Sequence, residues 1–571
     1  MGRMVIFRRE ILKANFLKVF FLCIVGTMII WAALQPAHAQ IAPPSTPAAA
    51  LQSGQKSGDA SGDASGDASG DKTGGISDVA TGSGTLPEDV QKRIATQSGK
   101  GLPLVTEAVG QNRIGINIMW TLIAGFFVMF MQAGFALVET GFTRAKNAAH
   151  TMLMNFSVYF LAMLGFWIAG FAIMMGNAGK IADLGGTLPL AAGHAVGIPG
   201  LGTIFGTNGF FLAGNSYDIG VYVLFLFQMV FMDTAATIPT GAMAERWKFK
   251  AFIVYAFFIS IILFPIFGHW AWGGGWLSQL GNTFQLGCGY VDFAGSGVVH
   301  AVGGFCALAG AAVLGPRIGK FNKDGSANAI PGHNLPLAIL GTLILGFGWF
   351  GFNAGSTLGA SGAGDLRIGI IAVATMLASA GGAVASMIYL YWTTKRPDPT
   401  MIVNGFLAGL VAITAPSAFV SAPIAVLIGA VAGVLVCLAV PFVDKLLIED
   451  PVGAISVHGV CGLWGVICVG LFADGTYGNG YNGTLINGVA TPLKGLFMGG
   501  GFGQLGAQLI GAVTVIIWAF GASFIFFKIQ DRVMGIRSHP EDEIEGLDIP
   551  ETGTLAYPSF STETEAELAA Y

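Results

Sequence analysis

Charge is what this sequence has least of. Lysine and arginine supply 28 of its 571 residues and aspartate and glutamate 32, which is 11% charged, against about a quarter in a soluble domain. That deficit argues against a soluble globular protein. The net charge is only −4, and no run of basic residues offers a patch for nucleic acid. Cysteine is scarce too. Five of the six (Cys23, Cys306, Cys437, Cys461, Cys468) sit in apolar runs and Cys288 stands alone in an expected loop. Neither a disulfide framework nor a zinc spacing emerges. No nucleophile–base constellation or metal-ligand cluster is visible, so neither an enzyme nor a cofactor is expected.

What is there is apolar. Hydrophobic residues make up 53% of the chain, in many runs long enough to cross a bilayer, about 20 residues each. There are 85 glycines, and small residues let membrane helices approach closely. At the N-terminus, basic residues precede an apolar core and Ala37-His38-Ala39, so 1–39 reads as a signal peptide. Residues 40–112, with repeated Ala-Ser-Gly-Asp, cannot bury enough surface to order themselves and read as an extracytoplasmic linker.

The next unit, 113–528, is expected to be an all-α membrane domain, because long unbroken apolar runs satisfy their backbones in lipid only as helices. Eleven spans are read near 115–138, 151–176, 219–243, 250–272, 292–315, 335–358, 366–392, 400–416, 419–443, 452–474 and 502–528. Basic residues collect in alternate loops: Arg144 and Lys146, then Arg246, Lys248 and Lys250, then Arg317, Lys320 and Lys323, then Lys395 and Arg396, and Lys445. By the positive-inside rule the tail, 529–571, is cytoplasmic, and residue 40 lies outside the cytoplasmic membrane.

The fifth span contains Val299-His300-Ala301-Val302-Gly303-Gly304-Phe305 and the tenth Val457-His458-Gly459-Val460-Cys461-Gly462-Leu463. Five spans separate them, so the two helices run oppositely, as in an inverted repeat of five plus five helices with an eleventh outside it. His300 and His458 become symmetry mates near the midplane. Ionisable residues at that depth default to function, and neutral imidazoles carry both a donor and an acceptor. Two readings stay open: a pore lining that can hand on protons, and axial ligation of a haem iron.

Asp292, two helical turns before His300, is expected to cap the fifth helix and to place its charge near a cation path. Phe227 and Phe231 lie one turn apart in the third span, Phe352 and Ser356 in the sixth, and Trp272 ends the fourth. Aromatic faces with a hydroxyl suit a small cation. Asp233, a carboxylate within the third span, has two open roles: a structural hydrogen bond or a proton relay.

The stretch DFAGSGVVHAVGGFCALAGAAVLGPR (292–317) resembles the signature of the ammonium transporter/Rhesus family. MQAGFALVETGFTRAKNA, TGAMAERWKF, HNLPLAILGTLILGFGWFGFNAGS and EDPVGAISVHGVCGLWG resemble further family segments, so that the likeness runs from about Gly115 to Tyr557. The resemblance implies a homotrimer with one pore per subunit, carrying ammonium or ammonia, with methylammonium as analogue. It implies that Trp272, Phe231 and Ser356 recruit ammonium, that Phe231 and Phe352 form a gate, that His300 and His458 line the pore, and that Asp292 supports recruitment. It also implies a regulatory tail that receives a PII-type signal protein, though Thr552 stands where the family commonly has histidine. The alternative functions are an ammonium sensor signalling through the tail and the haem protein above.

Overall fold

A computed structural model describes residues 102–558, except Lys180, Pro189, 191–194, 362–366 and Asn487. The signal-peptide reading of 1–39 and the linker reading of 40–101 lie outside the described residues. Residues 102–112, expected as linker, are helical: the first helix begins at Leu102.

The described residues form a helical bundle of eleven main elements: α1 (Leu102–Phe142), α2 (Ala145–Met175), α3 (Ile219–Ala242), α4 (Phe249–Ala271), α5 (Ser296–Leu314), α6 (Leu335–Thr357), α7 (Ile368–Thr394), α8 (Pro399–Ile413), α9 (Ala422–Lys445), α10 (Ile455–Phe472) and α11 (Phe502–Met534). Among the described residues ten are long and apolar enough to cross a bilayer. The exception is α8, at 15 residues, which is the short, glycine-rich eighth span. The molecule is an all-α membrane protein. Its strands among the described residues form two small antiparallel hairpins: Ala195–Ile198 with Gly202–Gly206, and Leu485–Ile486 with Val489–Ala490.

Polar residues at the loop ends start these helices. The Asp218 carboxylate accepts from the backbone N–H groups of Gly220 and Val221 to open α3, Asn334 accepts from Leu337 to open α6, and Asp398 accepts from Thr400 to open α8. Each cap satisfies backbone donors that a helix leaves free at its N-terminus. Packing then depends on small residues. Helix α1 lies along α6, α7 lies along both α8 and α9, and a Cβ at Gly341 would meet the backbone of Gly134 and Val138 on α1. Apolar side chains such as Leu343, Phe347, Val373, Phe442 and Ile517 remain exposed on the outer faces, as lipid-facing surface does.

At the end carrying the basic loops, buried charges are cross-linked. Arg317 pairs with Glu449 at 2.7 Å and with Glu245 at 2.6 Å, and Glu245 also pairs with Arg144 at 2.5 Å. Burial opposes the charge on Glu449, but Arg246 and Arg317 outweigh it and hold that carboxyl below its ordinary value. The chain after α11 is tied to the same end. Arg537 pairs with Glu543, the Leu547 N–H donates to Asn147 Oδ1 at 2.8 Å, and the His150 N–H donates to Asp548 at 2.9 Å. Lys146 donates to the carbonyls of Glu543 and Ile544, and Thr552 turns back to the Asp548 carbonyl.

Candidate functional site

The two histidines sit on the first turns of α5 and α10, and both turns are wound as π-helix, over Ser296–Ala301 and Ile455–Val460. Such turns gather at functional sites. Each also has a carboxylate cap. Asp292 accepts from the N–H groups of Gly295, Gly297 and Val298 at 2.8–3.0 Å. Asp450 accepts from Gly453 at 3.0 Å and Ile455 at 2.6 Å. Burial in that loop pushes the Asp450 carboxyl up to about 6, against the pull of these donors. The caps stand eight residues before His300 and His458 respectively, and Gly295 and Gly453 both take positive φ. The sequence reading found Asp292 and missed Asp450. Extending the histidine repeat backwards by eight residues would have found it.

The turns cross reciprocally: the His300 turn packs on the body of α10 and the His458 turn on the body of α5. A Cβ at Gly304 would collide with the backbone nitrogen of Gly459, so the helices touch backbone to backbone. That contact brings His300 Nδ1 to 3.2 Å from His458 Nδ1, with ring centroids 5.2 Å apart and planes 25° apart. The short separation corrects one of the two readings of the pair. An iron between them would need nitrogens roughly 4 Å apart, twice a metal–nitrogen bond of about 2 Å. As arranged, the two Nδ1 atoms bond to each other and leave no room for an iron between them.

The other candidates extend the pair into a column of rings. Phe352 lies 5.4 Å from His300, and Phe231 stacks on Phe352 at 4.2 Å with planes 26° apart. Trp272 meets Phe231 edge-on at 6.1 Å, and Phe227 backs Phe231 at 4.6 Å. Trp349, not singled out in the sequence, stacks on His300 at 5.2 Å. The Trp272 indole N–H donates to the Asp292 carbonyl at 2.7 Å, and the Ser356 hydroxyl donates to the Phe352 carbonyl at 2.8 Å. Asp292 therefore holds the α5 turn through its carboxylate and Trp272 through its backbone. All these side chains are buried, and His300 Nε2 has no protein partner. Asp233 stands apart. Two residues beyond Phe231 is about 200° round a helix, so its side chain leaves the column, and its buried Oδ1 accepts no hydrogen bond.

Beyond His458, toward the basic end, Phe135 lies 6.0 Å from its ring. A cavity of ≈ 20 Å³ opens there, lined by His458, Phe135, Val138, Glu139, Asn404 and Val457 among others, with room for about one small molecule. Glu139 and Asn404 were not predicted. Glu139 lies one residue past the first span as read from the sequence, 115–138, and nothing marked Asn404. Among the described residues, no group of three histidine, cysteine, aspartate or glutamate side chains could hold a metal ion.

The model of the Ammonium Transporter Family matches residues 119–557. The chain belongs to that family. Ammonium transporter Amt2 of Archaeoglobus fulgidus is 47% identical over 471 residues, covering 82% of this chain and 94% of the relative. Ammonium transporter 1 member 3 of Solanum lycopersicum is 34% identical, covering 79% and 95%. Among solved structures, one titled Sensor Amt Protein aligns with a TM-score of 0.65 at 40% identity, covering 77% of this chain and 99% of that one. Mep2 of Candida albicans aligns with a TM-score of 0.63 at 28% identity, covering 77% and 90%. As a member of the ammonium transporter family the chain is a multi-pass membrane protein of transport, and not an enzyme.

Proposed function

We propose that this ammonium transporter family member takes up ammonium through the column of rings, one pore in each subunit of a homotrimer. Carrying a full charge through an apolar bundle costs far more than carrying ammonia, on the order of tens of kcal/mol for an unpaired ion. Ammonium is recruited over the Trp272 and Phe231 faces with Ser356 as acceptor, gives its proton to water on the outer side, and passes Phe231 and Phe352 as ammonia. The imidazoles of His300 and His458 share one hydrogen at their Nδ1 atoms, so one outward Nε2 accepts while the other donates. That polarity guides ammonia and gives a proton a route between the rings. The observation that carries this reading is the unbroken succession from Trp272 to His458, ending at a cavity.

Positive loops mark the cytoplasmic side, so Trp272 faces outward and the tail lies inside, where a PII-type protein would meet the segment from Pro540 to Thr552. Asp233, away from the column, has no part in this path.

The test is methylammonium uptake and charge movement with purified protein in liposomes, for the wild type and for His300→Ala and His458→Ala. A loss of selectivity or a several-fold fall in flux is expected in both variants. Undiminished, equally selective conduction in both would remove the histidines from the pore. The likeness to a sensor Amt protein supports a second reading, in which the tail reports binding; wild-type protein that binds ammonium but carries none would favour it.

A further inference from the structure

Glu139 takes no part in the uptake path described above, yet it is buried and lines the cavity next to His458. It sits one turn from the basic end of α1. Its carboxylate accepts from Asn155 Nδ2 at 2.7 Å and from the Thr240 hydroxyl at 2.8 and 3.0 Å, with the Gly241 N–H also within reach. The Thr240 hydroxyl has one hydrogen and also approaches the Thr237 carbonyl, so its donation is shared. A carboxylate has about four lone-pair sites, and these partners leave one for the cavity. Asn404 adds a neutral amide to the lining, its Nδ2 donating to the Val452 carbonyl at 3.3 Å, which leaves its side-chain oxygen as an acceptor. Phe135 adds a ring to the same lining, 6.0 Å from the His458 ring. An acid, a carbonyl oxygen and an aromatic face around a space for one small molecule make a cradle for a small protonated amine.

We propose that Glu139 is the inner proton-exchange residue: ammonia that has passed His458 takes the carboxyl proton on its lone pair and becomes ammonium beside the carboxylate. Asn404 and Phe135 help to hold that ion. The carboxylate then takes a proton from hydronium on the basic side as ammonium leaves, so one proton is gained from solution for each ammonium released. The titratable groups facing Glu139 are His458 across the cavity and Asp450, close enough to act on it electrostatically. Its other polar neighbours, Asn155, Thr240 and Asn404, are neutral. The inference rests on the uptake reading above.

The experiment measures methylammonium uptake into liposomes against internal pH at fixed external pH, with oriented wild type, Glu139→Gln, Glu139→Asp and Asn155→Ala. Wild type that transports nothing would sink the uptake reading itself. Given transport, Glu139→Gln is expected to slow flux about tenfold or more, as removal of a positioned acid does, and to flatten the internal-pH profile. The apparent affinity for external substrate should stay put, because Trp272 and Phe231 are untouched. Glu139→Asp should restore a sloped profile, and Asn155→Ala, which removes a donor from the carboxylate, should move its midpoint. A merely structural Glu139 would lower thermal stability in step with flux and leave the profile unchanged. A Glu139→Gln profile parallel to wild type overturns the proposal. So does an unmoved midpoint in Asn155→Ala if Glu139→Gln does not fold.

Discussion

At the scale of single residues, the useful signal was polarity where lipid-buried sequence should have none. His300 and His458 stood out because each is expensive alone and because their surroundings repeat. Trp272 is harder to separate from an ordinary interfacial tryptophan, because Trp270 also combines an indole hydrogen bond with ring contacts. The Trp272 indole N–H is committed to the Asp292 carbonyl and its ring makes a T-shaped contact with Phe231, so its position is fixed by both a bond and a ring contact. Replacing Trp272 with leucine removes the π face and keeps the apolar bulk. Cation–π attraction contributes about 0.5–2 kcal/mol, so the apparent affinity for external methylammonium should weaken roughly two- to thirtyfold, read from the concentration dependence of current. An unaltered concentration dependence would exclude a recruiting role. Asp450, Glu139 and Asn404 were missed for different reasons. The first lay within a repeat that was read too short, the second among residues judged by motif, and the third looks like any polar residue of a short helix until folding brings it to the cavity.

At the scale of elements, ten of the eleven spans and all their neighbours in sequence follow from apolar length alone, because lipid leaves a helix no alternative. The winding of the two histidine turns does not follow from it. A π-turn adds one residue between backbone partners, and no propensity marks Ser296–Ala301 or Ile455–Val460 in advance. What holds these turns together is the Gly304–Gly459 contact, and it is lopsided. A methyl group on Gly304 would strike the Gly459 backbone, whereas one on Gly459 would meet Gly304 atoms no nearer than 3.6 Å. Gly304→Ala should therefore force α5 and α10 apart, costing about 1–3 kcal/mol as overpacking does and widening the 3.2 Å imidazole pair. Gly459→Ala, whose added methyl meets only ordinary van der Waals contacts, should destabilise much less. Thermal unfolding in detergent, alongside flux, compares them. Equal effects of the two substitutions would mean that the backbone contact does not set the spacing of the histidines.

At the scale of the whole molecule, the alternation of basic loops reads as more than topology. Those loops converge on one face, where Arg317 binds Glu449 and Glu245 and the chain after α11 lies across Asn147 and His150. Charge pattern alone could suggest the side of the membrane but not this knitting, since the partners come from loops far apart in sequence. The knitting has a pH signature. The folded protein holds the Glu449 carboxyl below its ordinary value of 4.5, so between the two values the unfolded chain binds more protons than the folded one. Stability from this group is then complete above about pH 4.5 and is lost as pH falls through the depressed folded value. Unfolding temperatures of purified protein, measured from pH 7 down to about pH 3, should fall as acid enters that window. Glu449→Gln should start lower at neutral pH, because Arg317 loses a buried partner, and should then fall less steeply than wild type. The difference between the two curves isolates Glu449 from every other carboxyl group. Parallel curves through the acid range would mean that the Arg317–Glu449 pair does not hold the basic face together.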